Sequence, residues 1–346
     1  MRAFACGKCR SLIFFENSVC ITCRSPIGFH RPSAQLVVLS PDLRFDDDGR
    51  TYRPCANKKI AACNWLAEID AEEGLCDCCQ YTRTRPADDD RQAMQAFART
   101  EAAKRRLIFQ IDFLGLPSTT REEDPDHGLA FDLLSSKRSA ITTGHNSGLI
   151  TIDLAEGDDA HREMMRVRLA EPYRTLLGHL RHEVGHWYWD VLIDETPFYD
   201  RFRDLFGDEQ LDYKEALAAH YKSAGDDDWV QHFVSQYASA HPWEDWAETF
   251  AHYLHIRDTL QTSAAWGVRV AGPDLDLSVA WDAQLSARPT DEADEFGELL
   301  RTWLPLTYSM NAQNRSMGKD DLYPFVLAPA VVEKLRFVHV VVSAVR

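Results

Sequence analysis

The chain has 346 residues, enough for two domains, and its 45% hydrophobic and 27% charged residues are ordinary for a soluble globular protein. A net charge of −16 argues against a nucleic-acid-binding protein as a whole, because a phosphate backbone attracts cationic surfaces. No apolar stretch approaches the roughly 18–20 residues of a membrane span. Cysteines and charges also interrupt the N-terminus where a secretory signal needs apolar continuity, so the expected location is cytoplasmic.

Residues 1–86 read as short strands and turns around cysteine groups, with Gln35–Leu39 as a strand. The acidic run Asp88-Asp89-Asp90 suits the N-terminus of a helix over 91–106, where the macrodipole favours negative charge. Leu107–Phe113 reads as a strand ended by Gly115 and Pro117, and Phe131–Leu134 and Leu149–Leu154 as two more. Glu171-Pro172 is expected to open a long helix that carries Leu176, Leu177, Leu180, Val184 and Trp187 at helical spacing. Further helices are predicted near 196–206, 213–223, 228–238, 243–260, 293–312 and 328–342. The fold class is α+β: a small cysteine-bearing region over 1–86, then a mainly helical domain with a small β-sheet over 87–346.

All nine cysteines lie in the first 79 residues. Cys6, Cys9, Cys20 and Cys23 form two C-x-x-C knuckles, and four thiolates from two such turns complete a tetrahedral zinc site. Cys55, Cys63, Cys76 and Cys79 form a looser set that suits a second structural zinc, with Cys78 left over or replacing Cys76 or Cys79. Four thiolates leave no open coordination position, so both sites would be structural. Residues 1–60 carry ten Lys or Arg against five acids, which leaves room for a local basic face there.

Residues 182–186 read His-Glu-Val-Gly-His. Four residues apart on a helix, His182 and His186 share one face and can offer two imidazoles to one zinc ion. Glu183 projects beside them as a general base for water. A metzincin extension would need Gly at 189 and His at 192, where this chain has Trp189 and Leu192. A later helix offers carboxylates instead: Glu244 and Glu248 lie four apart, so that one can bind zinc while the other supports a ligating histidine from behind.

The stretch Glu244-Asp245-Trp246-Ala247-Glu248-Thr249-Phe250 resembles the E-x-x-A-E-x-F helix of gluzincin peptidases. That resemblance implies Glu244 as the metal ligand, Glu248 as the carboxylate behind it, and Tyr237, seven residues earlier, as a phenol that stabilises the oxyanion. Gluzincins also hold substrate along a sheet edge, for which 148–153 is the candidate strand. Nearly end to end, the chain is similar to the bacterial putative zinc-binding metallopeptidases with an N-terminal zinc-ribbon domain. The pieces that carry the likeness are the paired knuckles, Cys76 to Pro86, the two helices above, Asn314-Arg315-Ser316-Met317-Gly318 and Tyr323-Pro324-Phe325-Val326-Leu327.

The expected activity is zinc-dependent hydrolysis of a peptide or protein substrate, with one catalytic and one or two structural zinc ions. The competing reading is a zinc-ribbon adaptor that binds protein or nucleic acid beside a non-catalytic peptidase-like domain. A metallohydrolase acting on another amide would use the same constellation. The zinc ribbon offers a surface for a protein partner, whereas nucleic acid and membrane are not expected partners.

Overall fold

The computed structural model describes residues 2–137, 140–168, 174–222, 227–272, 282–284 and 295–345. By packing, the chain forms two units: 1–112 with 118–165, and 113–117 with 166–346.

In the first unit, β1 (Phe4–Ala5) pairs antiparallel with β2 (Leu12–Ile13), and β3 (Ile27–His30) with β4 (Gln35–Val38). A meander follows of β5 (Phe45–Asp47), β6 (Arg50–Pro54) and β7 (Leu66–Glu68). These strands are too short to bury a core alone, and aromatic rings supply one. Phe15 meets Phe29 at 5.1 Å and Trp65 at 6.4 Å between ring centroids. A short helix, α1 (Asp77–Gln80), leads into β8 (Thr82–Thr84) and then α2 (Arg91–Leu114).

Helix α2 overturns the strand expected over 107–113. Leu107, Ile108, Ile111 and Leu114 are all buried, and their spacing is that of one helical face rather than a two-residue alternation. With no Gly or Pro before Gly115, the Ala-rich helix simply continues. Its Phe109 packs on Phe15 at 5.0 Å, and Arg31 clamps Asp112 through Nε and Nη2 at 2.8 and 2.7 Å. The packing unit therefore extends well past residue 86, because α2 completes the core of the cysteine region.

Beyond α2 come β9 (Ala130–Leu134), β10 (Gly144–Asn146) and β11 (Leu149–Asp153), in a sheet ordered β10-β11-β9-β8. Strand β11 is hydrogen-bonded on both sides, parallel to β9 and antiparallel to β10, so it has no free edge to offer a peptide. The expectation of a substrate edge at 148–153 is corrected accordingly. Helix α3 (Asp159–Arg168) follows.

The second unit is helical: α4 (Leu176–Leu192), α5 (Tyr199–Phe206), α6 (Tyr213–Lys222), α7 (Pro242–Ala265), α8 (Glu295–Ser316) and α9 (Pro329–Ala344), with a small hairpin of β12 (Arg269–Ala271) and β13 (Asp282–Gln284). Helix α4 starts at Leu176, where the Thr175 hydroxyl accepts from the Gly178 amide; Glu171 and Pro172 lie outside the described residues. In place of a helix over 228–238 there are two short 3₁₀ turns, Asp227–Gln231 and Tyr237–Ala240.

Helices α4 and α7 meet at a small-residue contact. A Cβ on Gly185 would lie 3.1 Å from both Cα and O of Ala247, tighter than side chains ordinarily pack, so its absence lets the two backbones approach without displacement. The Trp246 indole donates to the Gly185 carbonyl at 2.8 Å at the same crossing. Below it, Trp246 packs among Phe202, Phe206 and Phe337. The buried Asp245 is paired with Lys334 Nζ at 2.5 Å, which ties α7 to α9; burial still pushes the Asp245 carboxyl up to about 7. Arg315, in the Asn314–Gly318 stretch, is paired with Asp321 at 2.8 Å. Tyr323 is buried, its hydroxyl 2.7 Å from His252 Nδ1 and its backbone bracketed by Asn311. No helix among the described residues is long and apolar enough to cross a membrane.

Candidate metal centre

The α4–α7 crossing brings His182, His186 and Glu244 together, with one ligand atom from each within 4.8 Å of the others. His182 Nδ1 lies 2.7 Å from Glu248 Oε1, and since a carboxylate only accepts, this nitrogen carries the proton. In the neutral ring Nε2 of His182 is then a lone pair. It faces His186 Nε2 at 3.2 Å and Glu244 Oε2 at 3.0 Å, while His186 Nε2 lies 3.5 Å from the same oxygen. Two imidazole nitrogens and a carboxylate oxygen this close call for a cation between them, either a proton on an imidazole or a metal ion. Two imidazoles and one carboxylate are the donor set of a three-ligand zinc site with a position left for water, so the residues fit zinc.

Outer contacts hold this arrangement. The Ser235 hydroxyl donates to the other oxygen of Glu248 at 2.7 Å, fixing the carboxylate that fixes His182. Tyr213 OH donates to Glu244 Oε1 at 2.6 Å, which leaves Oε2 for the imidazoles. Trp243 sits edge-on to the His186 ring at 5.5 Å. Neither Tyr213 nor Ser235 carries a motif, and only the fold brings them here. Tyr213→Phe is expected to weaken metal affinity about 10–100-fold, the usual cost of losing such a support. Chelator competition measures it, and an unchanged affinity would remove Tyr213 from this role.

Glu183 is 8% exposed, and its Oε2 has no hydrogen-bond partner among the described residues. Burial raises its carboxyl above the ordinary range, against the pull of His182 and His186. Tyr237 lies with its ring 5.9 Å from that of His182, and burial, reinforced by Glu244, pushes its phenol well up so that it keeps its proton. Burial opposes charge on His182, but Glu244 and Glu248 outweigh it and raise the imidazole. Protons and metal thus compete for one set of acceptors.

The cysteines form two groups. Cys6, Cys9, Cys20 and Cys23 have sulfur separations of 3.7 Å (Cys6–Cys23) and 3.6 Å (Cys9–Cys20). Cys55, Cys63, Cys76 and Cys79 have 3.7 Å (Cys63–Cys76) and 3.8 Å (Cys63–Cys79). A tetrahedron with Zn–S bonds of about 2.3 Å has edges of about 3.8 Å, whereas a disulfide is about 2 Å. Both groups fit zinc. In the first, hydrogen bonds from Ser25 hold the Cys23 thiol down to about 6. Cys78, buried, stands outside the second group.

Helix α2 lines the second group with charge. Lys104 pairs with Glu101 at 2.7 Å, and Arg105, 4% exposed, donates from Nη2 to the Ala61 carbonyl at 3.2 Å while its Nη1 has no hydrogen-bond partner among the described residues. Burial opposes the Arg105 charge, but Cys63, Cys78, Glu101 and Cys79 outweigh it. A dication held by four thiolates keeps a net negative charge, which Arg105 and Lys104 are placed to offset.

An N-terminal cysteine module followed by a helical body with a His-Glu-x-x-His helix defines a zinc-binding protein of metallopeptidase type. The chain belongs to the family described as "Putative zinc-binding metallo-peptidase", whose profile matches residues 93–341, and a zinc-ribbon domain profile matches residues 3–90. It is similar to the uncharacterized proteins Rv2568c of Mycobacterium tuberculosis and Mb2598c of Mycobacterium bovis. Each is 49% identical over 346 residues, covering 100% of this chain and 96% of the relative. No solved structure matches.

Proposed function

We propose that the chain is a zinc-dependent peptidase of the gluzincin type, with residues 87–346 as its peptidase domain and 1–86 as a zinc-ribbon region holding two structural zinc ions. The observation that carries this reading is the close convergence of His182 Nε2, His186 Nε2 and Glu244 Oε2 beside a buried carboxylate, Glu183, next to His182 on the same helix. His182, His186 and Glu244 hold the catalytic zinc, and Glu248 orients His182. Bound there, zinc acidifies water and polarises a carbonyl.

Glu183 takes the proton from water as it attacks the scissile carbonyl, and returns it to the leaving amine. Its raised affinity for a proton suits both halves of that task. Tyr237, protonated at neutral pH, donates to the oxyanion of the tetrahedral intermediate. Eight cysteines grouped as metal ligands rather than bridged in disulfides suit a reducing, cytoplasmic setting.

The test is elemental analysis of the wild type and of His182→Ala with His186→Ala, beside hydrolysis of a casein-derived peptide mixture. Zinc is expected to fall by one ion per chain with hydrolysis lost. A folded double mutant with unchanged zinc would favour the adaptor reading instead.

A further inference from the structure

Helix α9 buries Val331, Leu335, Val338 and Val342 along one face, and Lys334, beside Leu335, is only 6% exposed. A lysine there costs desolvation, and well-packed apolar residues in place of a buried ion pair are often neutral or stabilising. Holding α9 against α7 is therefore a weak reason for the charge. Its partners give a stronger one.

Lys334 Nζ lies 2.5 Å from Asp245 Oδ2 on α7 and donates to the His232 carbonyl at 2.8 Å. The Phe233 ring lies 4.4 Å from the same nitrogen, and the Phe206 ring of α5 lies 5.5 Å away. The other oxygen of Asp245 accepts from the Thr249 hydroxyl at 3.4 Å, so this carboxylate is held on both sides.

Both oxygen partners adjoin the metal centre. Asp245 directly follows Glu244. Adjacent helical residues point about 100° apart, so fixing Asp245 toward α9 fixes the rotation of α7 that turns Glu244 toward the two imidazoles. His232 and Phe233 open the stretch between the two 3₁₀ turns, which has no helical or strand ladder of its own. That stretch delivers the Ser235 hydroxyl to Glu248 at 2.7 Å and, two residues on, the Tyr237 ring to the side of His182. Two side-chain contacts pin it, Lys334 on the His232 carbonyl and Ser235 on Glu248. One cation, on a helix without a motif, thus joins the helix that offers Glu244 to the stretch that offers Ser235 and Tyr237.

We infer that Lys334 is a positioning residue of the metal centre. By joining Asp245 to the His232 carbonyl it sets the spacing between α7 and residues 232–237, and through them the places of Glu244, Glu248 and Tyr237. The kinetic part of this inference rests on the proposed peptidase activity; its zinc part needs only the three converging ligands.

The full zinc-loaded chain carries the test. Lys334→Met with Asp245→Asn removes both charges together, so no buried charge is left unpaired. This paired variant is expected to melt close to the wild type. It should hold zinc at His182, His186 and Glu244 about tenfold more weakly in chelator competition, and lose about tenfold in kcat with KM little changed. Phe233→Leu keeps both charges and removes only the ring beside Nζ; it should weaken zinc in the same direction by a smaller factor.

A double-mutant cycle separates positioning from bulk stability. Lys334 bonds to neither Ser235 nor Tyr237 among the described residues, so independent effects would add. With Ser235→Ala already present, the paired substitution should cost little further zinc affinity. With Tyr237→Phe present, it should cost little further kcat.

Unchanged zinc affinity in the folded paired variant would overturn the inference, as would full additivity with Ser235→Ala. Should the paired variant not fold, Phe233→Leu decides alone, and unchanged zinc affinity there overturns it. A wild type that cleaves no peptide yet shows the expected coupling of Lys334 to Ser235 in zinc affinity would overturn the peptidase reading and uphold the place of Lys334.

Discussion

Glu183→Gln keeps its zinc and loses roughly 10²–10⁴-fold in kcat, the range a positioned general base contributes. The substitution is nearly isosteric, and Glu183 stands outside the three converging acceptors, so the metal set is undisturbed. What changes is proton affinity: an amide cannot take the proton that burial prepares the carboxyl to accept. The measurement pairs zinc per chain with kcat on any peptide the wild type cleaves. Full activity with zinc bound would remove Glu183 from the chemistry. Loss of both zinc and activity would mean that its role is structural.

Cys76→Ser is expected to release one zinc ion per chain and to unfold the first unit. A structural zinc site is worth about 10–16 kcal/mol in apparent terms, as much as the whole stability of a typical domain. Arg105 would then face the site without the thiolate charge it sits beside, adding the cost of a buried, uncompensated cation. Cys78→Ser is the control. Cys78 is just as buried and two residues away, but lies outside the tetrad, so this variant should retain both structural zinc ions. Elemental analysis and thermal melts of the two variants decide the matter, and a reversed outcome would exchange the roles of Cys76 and Cys78.

The clusters of donor side chains in this chain were more legible than its architecture. Histidines four apart beside a glutamate, and cysteines two apart, declare themselves because local spacing alone brings their side chains onto one face. The structure brings Glu244 and Glu248 to that helix at distinct places, Glu244 against both imidazole nitrogens and Glu248 against His182 Nδ1, an order that residue spacing left open. Tyr213 and Ser235 were illegible because they arrive from 31 residues before Glu244 and 13 before Glu248, through turns with no signature. The misread strand over 107–113 has a similar cause. A short apolar run has no period of its own, and whether it is buried as helix or strand depends on what Phe109 and Leu107 find to pack against. The two 3₁₀ turns near Tyr237 likewise stand where composition alone favoured a helix.

Helix α2 belongs at once to the aromatic core around Phe15 and to the charged lining of the second cysteine group. A chain made without zinc would therefore lack more than a metal: one of its longest helices would have a partly finished partner. Such a polypeptide is open to degradation as soon as it is synthesised. Zinc scarcity would accordingly be read in cells as fewer copies of the protein, each of those remaining fully loaded, rather than as a standing pool of idle apoprotein.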